Sequence, residues 1–199
     1  MSDYEFVDKK RQVKRKFKSF RQEGGAGSLE QLKTKLSEFI TEDPDFLEPY
    51  LVLEEIYQQE ENPEKAAQIR QEAFDRAVSL ITDKEGNWPD LLPWSYDENR
   101  HIIRTLLQQA ISEWENREWQ QALDLLRLLI ITNPNDNVAA RYYILAIRMG
   151  FTFSGFEDRF NKGGYYDQEL SDWFDEHVHR FTDEFDWWLK WKKNHQKNS

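Results

Sequence analysis

The clearest structural signal in the chain is WQQALDLLRLLIITNP, residues 119–134. Apolar side chains recur there at helical spacing, at Trp119, Ala122, Leu126, Leu129 and Ile130. Because residues three and four apart share one face of a helix, the stretch predicts an amphipathic helix that ends before Pro134. Asp136 is expected to cap a following helix, which runs to Gly150.

The same helical pattern continues on both sides of this stretch. Upstream, three places carry residue types that start a helix: Ser28, Asn62 followed by Pro63, and Ser95 with Glu98. Ser and Asn side chains accept hydrogen bonds from exposed amides, proline has no amide to satisfy, and Ser with a Glu three residues on forms a capping box. No segment alternates between apolar and polar residues over the length of a strand. We therefore predict an all-α protein.

Composition narrows the classes of function. The 199 residues include 37 Asp and Glu against 27 Lys and Arg, so the net charge is −10 and the surface as a whole would repel nucleic-acid phosphates. The sequence has no cysteine, which excludes disulfides, thiolate zinc sites and cysteine nucleophiles. The first residues lack the apolar core of a signal peptide, and no segment approaches the roughly 18 apolar residues of a membrane span. We expect a soluble, cytoplasmic protein.

The N-terminal segment differs in charge from the rest of the chain. Residues 1–28 carry a net charge of +4 and the remainder −14. The basic residues of this segment are Lys9, Lys10, Arg11, Lys14, Arg15, Lys16, Lys18 and Arg21. Gly24–Gly27 is typical of a flexible hinge. We therefore predict a flexible basic arm, residues 1–27, attached to a helical domain, residues 28–199.

Two parts of the helical domain share a pattern of small and apolar residues. Ahead of Pro134 the pattern consists of Ile103, Leu106, Ala110, Ala122 and Leu129. After Pro44 it consists of Leu47, Tyr50, Tyr57, Ala66 and Ala73. On these residues the chain resembles tetratricopeptide-repeat proteins, in which a small residue lies where two helices cross and a proline closes the unit. The earlier unit departs from the family pattern at Glu54, a small-residue position, and at Val78, the position of the closing proline.

The resemblance implies a right-handed stack of antiparallel helix pairs, an α-solenoid, with an inner face formed by the first helix of each pair. It places eight candidate binding residues on that face: Arg104, Leu107, Gln108, Ile111, Arg141, Tyr142, Leu51 and Glu55. Family members that clamp carboxylate tails need Lys and Asn on this face, and Leu51 and Glu55 replace the first such pair. Arg104 and Arg141 remain candidates for binding an acidic group. The alternative is an irregular helical bundle.

The C-terminal quarter of the chain is rich in aromatic residues. Residues 151–199 hold 13 of the 29 aromatic residues. From Leu170 to Leu189 the apolar residues trace one face of a predicted long amphipathic helix. We expect this segment to cap the apolar end of the helical stack. The alternative is an exposed aromatic patch that contacts a partner or a second copy of the chain.

Patterns of catalytic or metal-binding residues are missing from the sequence. His177 and His179 are two residues apart, which directs them to different sides of a helix, and no HExxH pattern, phosphate loop or nucleophile elbow occurs. We predict no catalytic residue, no metal site and no cofactor. The predicted function is a non-catalytic adaptor that binds a peptide or helix of a protein partner on the inner face. The alternative is a factor that docks on nucleic acid, the ribosome or another anionic surface through residues 9–21.

Overall fold

A computed structural model describes residues 4–24 and 27–195 of the chain. These residues form ten α-helices and no strand, which confirms the predicted all-α class. The helices are α1 (Gln12–Gln22), α2 (Leu29–Glu42), α3 (Glu48–Gln59), α4 (Pro63–Ile81), α5 (Arg100–Glu115), α6 (Trp119–Thr132), α7 (Ala140–Arg148), α8 (Phe153–Phe160), α9 (Gln168–His177) and α10 (Thr182–His195). None of the helices in this part of the chain has both the length and the apolar character needed to cross a bilayer. Gly25 and Ala26 of the predicted hinge lie outside the described residues.

Two helices begin where the local sequence predicts. The Ser28 side chain accepts the Gln31 N–H at 3.3 Å, and α2 follows directly. The Asn62 side chain accepts the Lys65 N–H at 3.2 Å, and Pro63 is the first residue of α4. Both predicted starts are confirmed, because each depends on contacts within a single turn.

A third helix starts later than predicted. α5 begins at Arg100 rather than directly after Ser95. Asn99, the residue before it, is fully buried, and its side chain accepts the Asp8 N–H at 2.9 Å and donates to the Phe6 carbonyl at 2.9 Å. These contacts with a distant segment hold Asn99 and move the start of the α-helix to the following residue.

The internal contacts divide the chain into two units, Met1–Gln109 and Ala110–Ser199, rather than at the predicted boundary after residue 27. The division falls within α5. In the first unit, α2 packs on α3 and α3 packs on α4. The apolar core of this unit contains Val13, Phe17, Leu36, Phe39, Phe46, Leu53 and Ile56.

α1 is part of that core, in place of the flexible arm expected over residues 1–27, of which residues 1–3, 25 and 26 lie outside the described residues. Val13 and Phe17 of α1 are only 2% and 3% exposed. The Phe17 ring meets the rings of Phe39 and Phe46 edge-on, with centroids 5.4 and 5.6 Å apart. Because Val13 and Phe17 are four residues apart, they share one side of α1 and bury it together.

Residues 4–11, ahead of α1, form a strap across the connector that precedes α5. The Phe6 N–H donates to the Leu91 carbonyl at 2.8 Å, and the Leu91 N–H donates to the Tyr4 carbonyl at 3.1 Å. At the end of the strap, the Arg11 guanidinium is buried and bonds the carboxylates of Asp8 and Asp43 at 2.7 and 2.6 Å. The strap therefore joins segments that are far apart in sequence.

Aromatic rings fill the core of the second unit. The Trp114 ring lies between 5.3 and 6.0 Å from the rings of Tyr143, Phe153 and Phe156. Its indole N–H donates to the Phe151 carbonyl at 2.9 Å, so the one polar atom of this side chain is satisfied.

The stretch from Leu170 to Leu189 belongs to two helices, α9 and α10, joined by a 3₁₀ turn at Val178–Arg180, so the prediction of one long helix is wrong. The Phe174 ring of α9 meets the rings of Phe185 and Trp188 of α10 edge-on at 5.4 and 6.0 Å. Because side chains of both helices meet at Phe174, the chain has to bend between them. Of the predicted apolar face, Trp173, Phe174, Phe185 and Trp188 are buried, whereas Trp187 is 39% exposed.

Candidate functional site

Five of the predicted inner-face residues lie together in the first unit. They line a groove made of two adjoining cavities of about 420 and 340 Å³, which share Leu51, Val52 and Arg104. We call this surface the α3 groove. Its other lining residues are Lys14, Phe17, Lys18, Arg21, Glu48, Glu54, Glu55, Gln58, Asp97, Leu107 and Gln108.

One face of α3 runs along the whole groove. Its lining residues are Glu48, Leu51, Val52, Glu55 and Gln58, which recur at helical spacing and so share one side of the helix. At a rise of about 1.5 Å per residue, this row is roughly 15 Å long. Leu51 and Val52 are half-buried and form an apolar floor with the ring of Phe17. A groove wall of this length accommodates roughly three turns of a partner helix, or four to five residues of an extended chain.

Cations from α1 and α5 border one end of the groove. The Lys14 ammonium lies 2.7 Å from the Asp97 carboxylate and, through this hydrogen bond, lowers the pKa of Asp97 below its usual value. Arg104 lies 3.3 Å from Glu48, with its guanidinium 5.3 Å from the centre of the Trp94 ring. These two cations are therefore already balanced by acids of the same unit.

Lys18 and Arg21, in the same part of the groove, differ from Lys14 and Arg104. Both side chains are exposed and line the larger cavity. Within the described residues, neither has a hydrogen-bond or ion-pair partner at contact distance. The lining of the larger cavity therefore carries four cations against two acids, Glu48 and Asp97, and the charge of Lys18 also acts on Asp97 at longer range.

The opposite end of the groove is polar and slightly acidic. Glu54 is buried and lies 3.0 Å from the Arg70 guanidinium, so its charge is balanced. Glu55 is exposed, and among the described residues its carboxylate accepts a hydrogen bond only from the neutral amide of Gln59, at 3.4 Å. Gln58 and Gln108 supply amides beside it. The α3 groove therefore changes from positive to negative along its length.

The remaining residues of the predicted basic arm are distributed elsewhere. Arg11 is buried in the strap, and Lys16 pairs with Glu42 at 2.5 Å. Lys9, Lys10 and Arg15 are exposed and lie outside the α3 groove. Three members of the predicted arm, Lys14, Lys18 and Arg21, thus border the same groove as the predicted inner face, an arrangement that no local sequence signal indicated.

A buried polar cluster of Asp8, Arg11 and His101 was missed by the sequence analysis. His101 Nε2 lies 3.0 Å from Asp8, and His101 Nδ1 accepts the Leu47 N–H at 3.3 Å. Burial raises the pKa of Asp8, but hydrogen bonds from His101 and Arg11 outweigh it, so this pKa lies below its usual value. Both ring nitrogens of His101 are engaged, which favours a structural role over general base catalysis. Asp8 and His101 are 93 residues apart, so no spacing rule could pair them.

The other three predicted inner-face residues belong to the second unit. Ile111 is half-buried on α5, and Tyr142 is 8% exposed on α7. Both terminal nitrogens of Arg141 have internal partners: Nη1 donates to Asp136 at 2.5 Å and Nη2 donates to the Tyr142 hydroxyl at 2.6 Å. Burial raises the pKa of Asp136, and the charge of Arg141 opposes this effect. These contacts favour a structural role for Arg141 over the predicted binding of an acidic group.

Among the described residues, no group of three His, Asp or Glu side chains is arranged to hold a metal ion. Comparison of the chain with models of known families, with curated proteins and with solved structures gave no match.

Proposed function

We propose that this protein is a non-catalytic interaction module whose α3 groove binds a peptide or helical segment of a protein partner. The observation that carries the proposal is the position of Leu51, Glu55, Arg104, Leu107 and Gln108 along one groove. An apolar floor bordered by charged and amide side chains suits a peptide, since the floor contributes affinity and the polar border contributes specificity.

The proposal includes a tetratricopeptide-like arrangement of helices. Its support is the pairing of α3 with α4 through a turn at residues 60–62, and the burial of Ala66 of α4, which is 2% exposed. A small residue at this position lets two helices approach closely. Ala122 of α6 is likewise fully buried in the second unit.

Selection of a random-peptide library on the full-length protein tests the proposed function. We expect the recovered peptides to bind the wild-type protein and to lose about tenfold or more in affinity with Leu51→Lys, which puts an unpaired charge on the apolar floor. Leu29→Lys is the matched control, because Leu29 is an exposed leucine, at 46%, that lies outside the groove.

Affinity is measured by fluorescence anisotropy with labelled synthetic peptides, after circular dichroism has shown that both variants keep their helical content. Equal affinities for Leu51→Lys and Leu29→Lys would place the binding surface elsewhere and refute the proposed function.

A further inference from the structure

The two ends of the α3 groove differ in charge, and the cations that make the difference lie on a helix outside the α3–α4 pair. Lys18 and Arg21 lie on α1, which precedes the first helix pair. Residues 14, 17, 18 and 21 of α1 recur at helical spacing, and all four line the larger cavity. α1 therefore forms a wall of the groove, with Phe17 as its apolar element and the cations above it.

The cations of this wall are not equivalent. Lys14 forms an ion pair with Asp97 at 2.7 Å, and the Lys14 side chain is 23% exposed. Lys18 and Arg21 are exposed and, among the described residues, unpaired. A net positive charge with two cations free of contact partners, beside an apolar floor, attracts a ligand that carries both an acidic and an apolar part.

We propose that the bound segment is an acidic amphipathic peptide, whose carboxylates lie against Lys18 and Arg21 and whose apolar side chains cover Leu51 and Val52. This inference rests on the proposed function of the groove. Side-chain carboxylates and a C-terminal carboxylate share the chemistry that these cations recognise. At the other end, Glu55 selects a neutral or basic residue of the same segment, which fixes the direction in which the peptide lies.

The surroundings disfavour a nucleic acid as the occupant. Glu48 and Asp97 lie at the same end of the groove as Lys18 and Arg21, and the Asp97 side chain is 64% exposed. A phosphate backbone carries its charge continuously, and the two cations without contact partners in this groove could neutralise few phosphates. A peptide can place one or two carboxylates locally and continue with apolar residues.

A double charge reversal, Lys18→Glu with Arg21→Glu, tests this inference on the full-length protein. The matched control is Lys10→Glu with Arg15→Glu, since one lysine and one arginine outside the groove are reversed and the net charge changes equally. The probes are synthetic peptides from the library selection, each made with its Asp and Glu residues and with Asn and Gln in their place. To separate the two carboxylate sources, each peptide is also made with an amidated C-terminus.

We call Lys18→Glu with Arg21→Glu the groove reversal, and Lys10→Glu with Arg15→Glu the control reversal. We expect the selection to enrich peptides with acidic residues towards one end. The groove reversal should lower the affinity of these peptides by about tenfold or more, and the control reversal should change it by less than about twofold. The amide-substituted peptides should bind weakly and show little response to the groove reversal. Added salt should reduce the affinity of the acidic peptides, because the cations are exposed.

The outcomes separate this inference from the proposed function. If the peptides lose affinity for the Leu51→Lys variant but bind the groove-reversal variant as tightly as the control-reversal variant, the inference is overturned and the proposed function stands. If Leu51→Lys leaves the affinity of the peptides unchanged, both are overturned. The inference would also be overturned if single-stranded RNA bound the wild-type protein and lost affinity for the groove-reversal variant, while acidic peptides kept theirs.

Discussion

Replacement of Phe17 by alanine tests whether α1 belongs to the folded core. The Phe17 side chain is 3% exposed and makes two edge-on ring contacts, at 5.4 and 5.6 Å. Phe-to-Ala changes in close-packed cores lower the free energy of unfolding by about 3–5 kcal/mol, and the lower end applies because α1 lies at the edge of its unit and can relax. For a chain of this length, about 3 kcal/mol corresponds to a fall of roughly 6–12 °C in Tm.

Phe20→Ala is the matched control for this substitution. Phe20 lies on the same helix and its ring is 5.7 Å from that of Phe39, but the side chain is only half-buried. We expect Phe20→Ala to lower the free energy of unfolding by about 1–2 kcal/mol, because less apolar surface is exposed to water than with Phe17→Ala. Urea and thermal unfolding followed by circular dichroism measure both variants. If Phe17→Ala changed the free energy of unfolding by less than about 0.5 kcal/mol, as a substitution in a free arm would, the packing of α1 on the core would be refuted.

Three further substitutions test the buried polar contacts. Arg11→Met should lower the free energy of unfolding in urea by about 3–5 kcal/mol, because it removes the guanidinium that bonds the carboxylates of both Asp8 and Asp43. Lys10→Met at the exposed neighbouring position should change this free energy by less than about 0.5 kcal/mol. Since the pKa of Asp8 is lowered in the folded state, its contribution to stability is present above the unfolded carboxyl pKa of about 4 and disappears as the pH falls through the folded value. Unfolding free energies measured from pH 6 down to about 2 should therefore fall less steeply for Asp8→Asn than for the wild type, and equal slopes would contradict the assignment. Glu184→Gln in the second unit removes the carboxylate that bonds Arg127 and Arg148. We expect it to lower the free energy of unfolding in urea by about 1.5–3 kcal/mol. An unchanged free energy would mean that solvent already screens these ion pairs.

The parts of the fold that depend on adjacent residues were predictable from the sequence. Ser28 and Asn62 each cap the helix that follows, because a cap involves residues only a few positions apart. The Asp136 carboxylate accepts the Ala140 N–H at 2.7 Å, but α7 begins at Ala140 rather than directly after Asp136. Leu51 and Glu55 were assigned to an inner face by the tetratricopeptide resemblance rather than by local periodicity, and both line the α3 groove.

The parts that depend on distant residues were not predictable from the same patterns. The eight basic residues between Lys9 and Arg21 suggested a free arm, but one residue of that run, Arg11, is buried against Asp43, a partner 32 positions away. Two further residues of the run, Lys18 and Arg21, reach the groove only because Phe17 anchors α1 to the core. Charge composition describes which residues are present, and only the packed structure decides which charges remain available to a ligand.

The strap also has a consequence for the order of events during synthesis. Asp8 leaves the ribosome 93 residues ahead of His101, which at about 5–20 residues per second corresponds to roughly 5–20 s. During that interval the apolar side of α1 can meet α2 and α3, but the carboxylate of Asp8 still lacks its histidine. The first unit can therefore close only after the connector and the start of α5 have been translated, so the strap completes its native contacts later than the apolar side of α1 can.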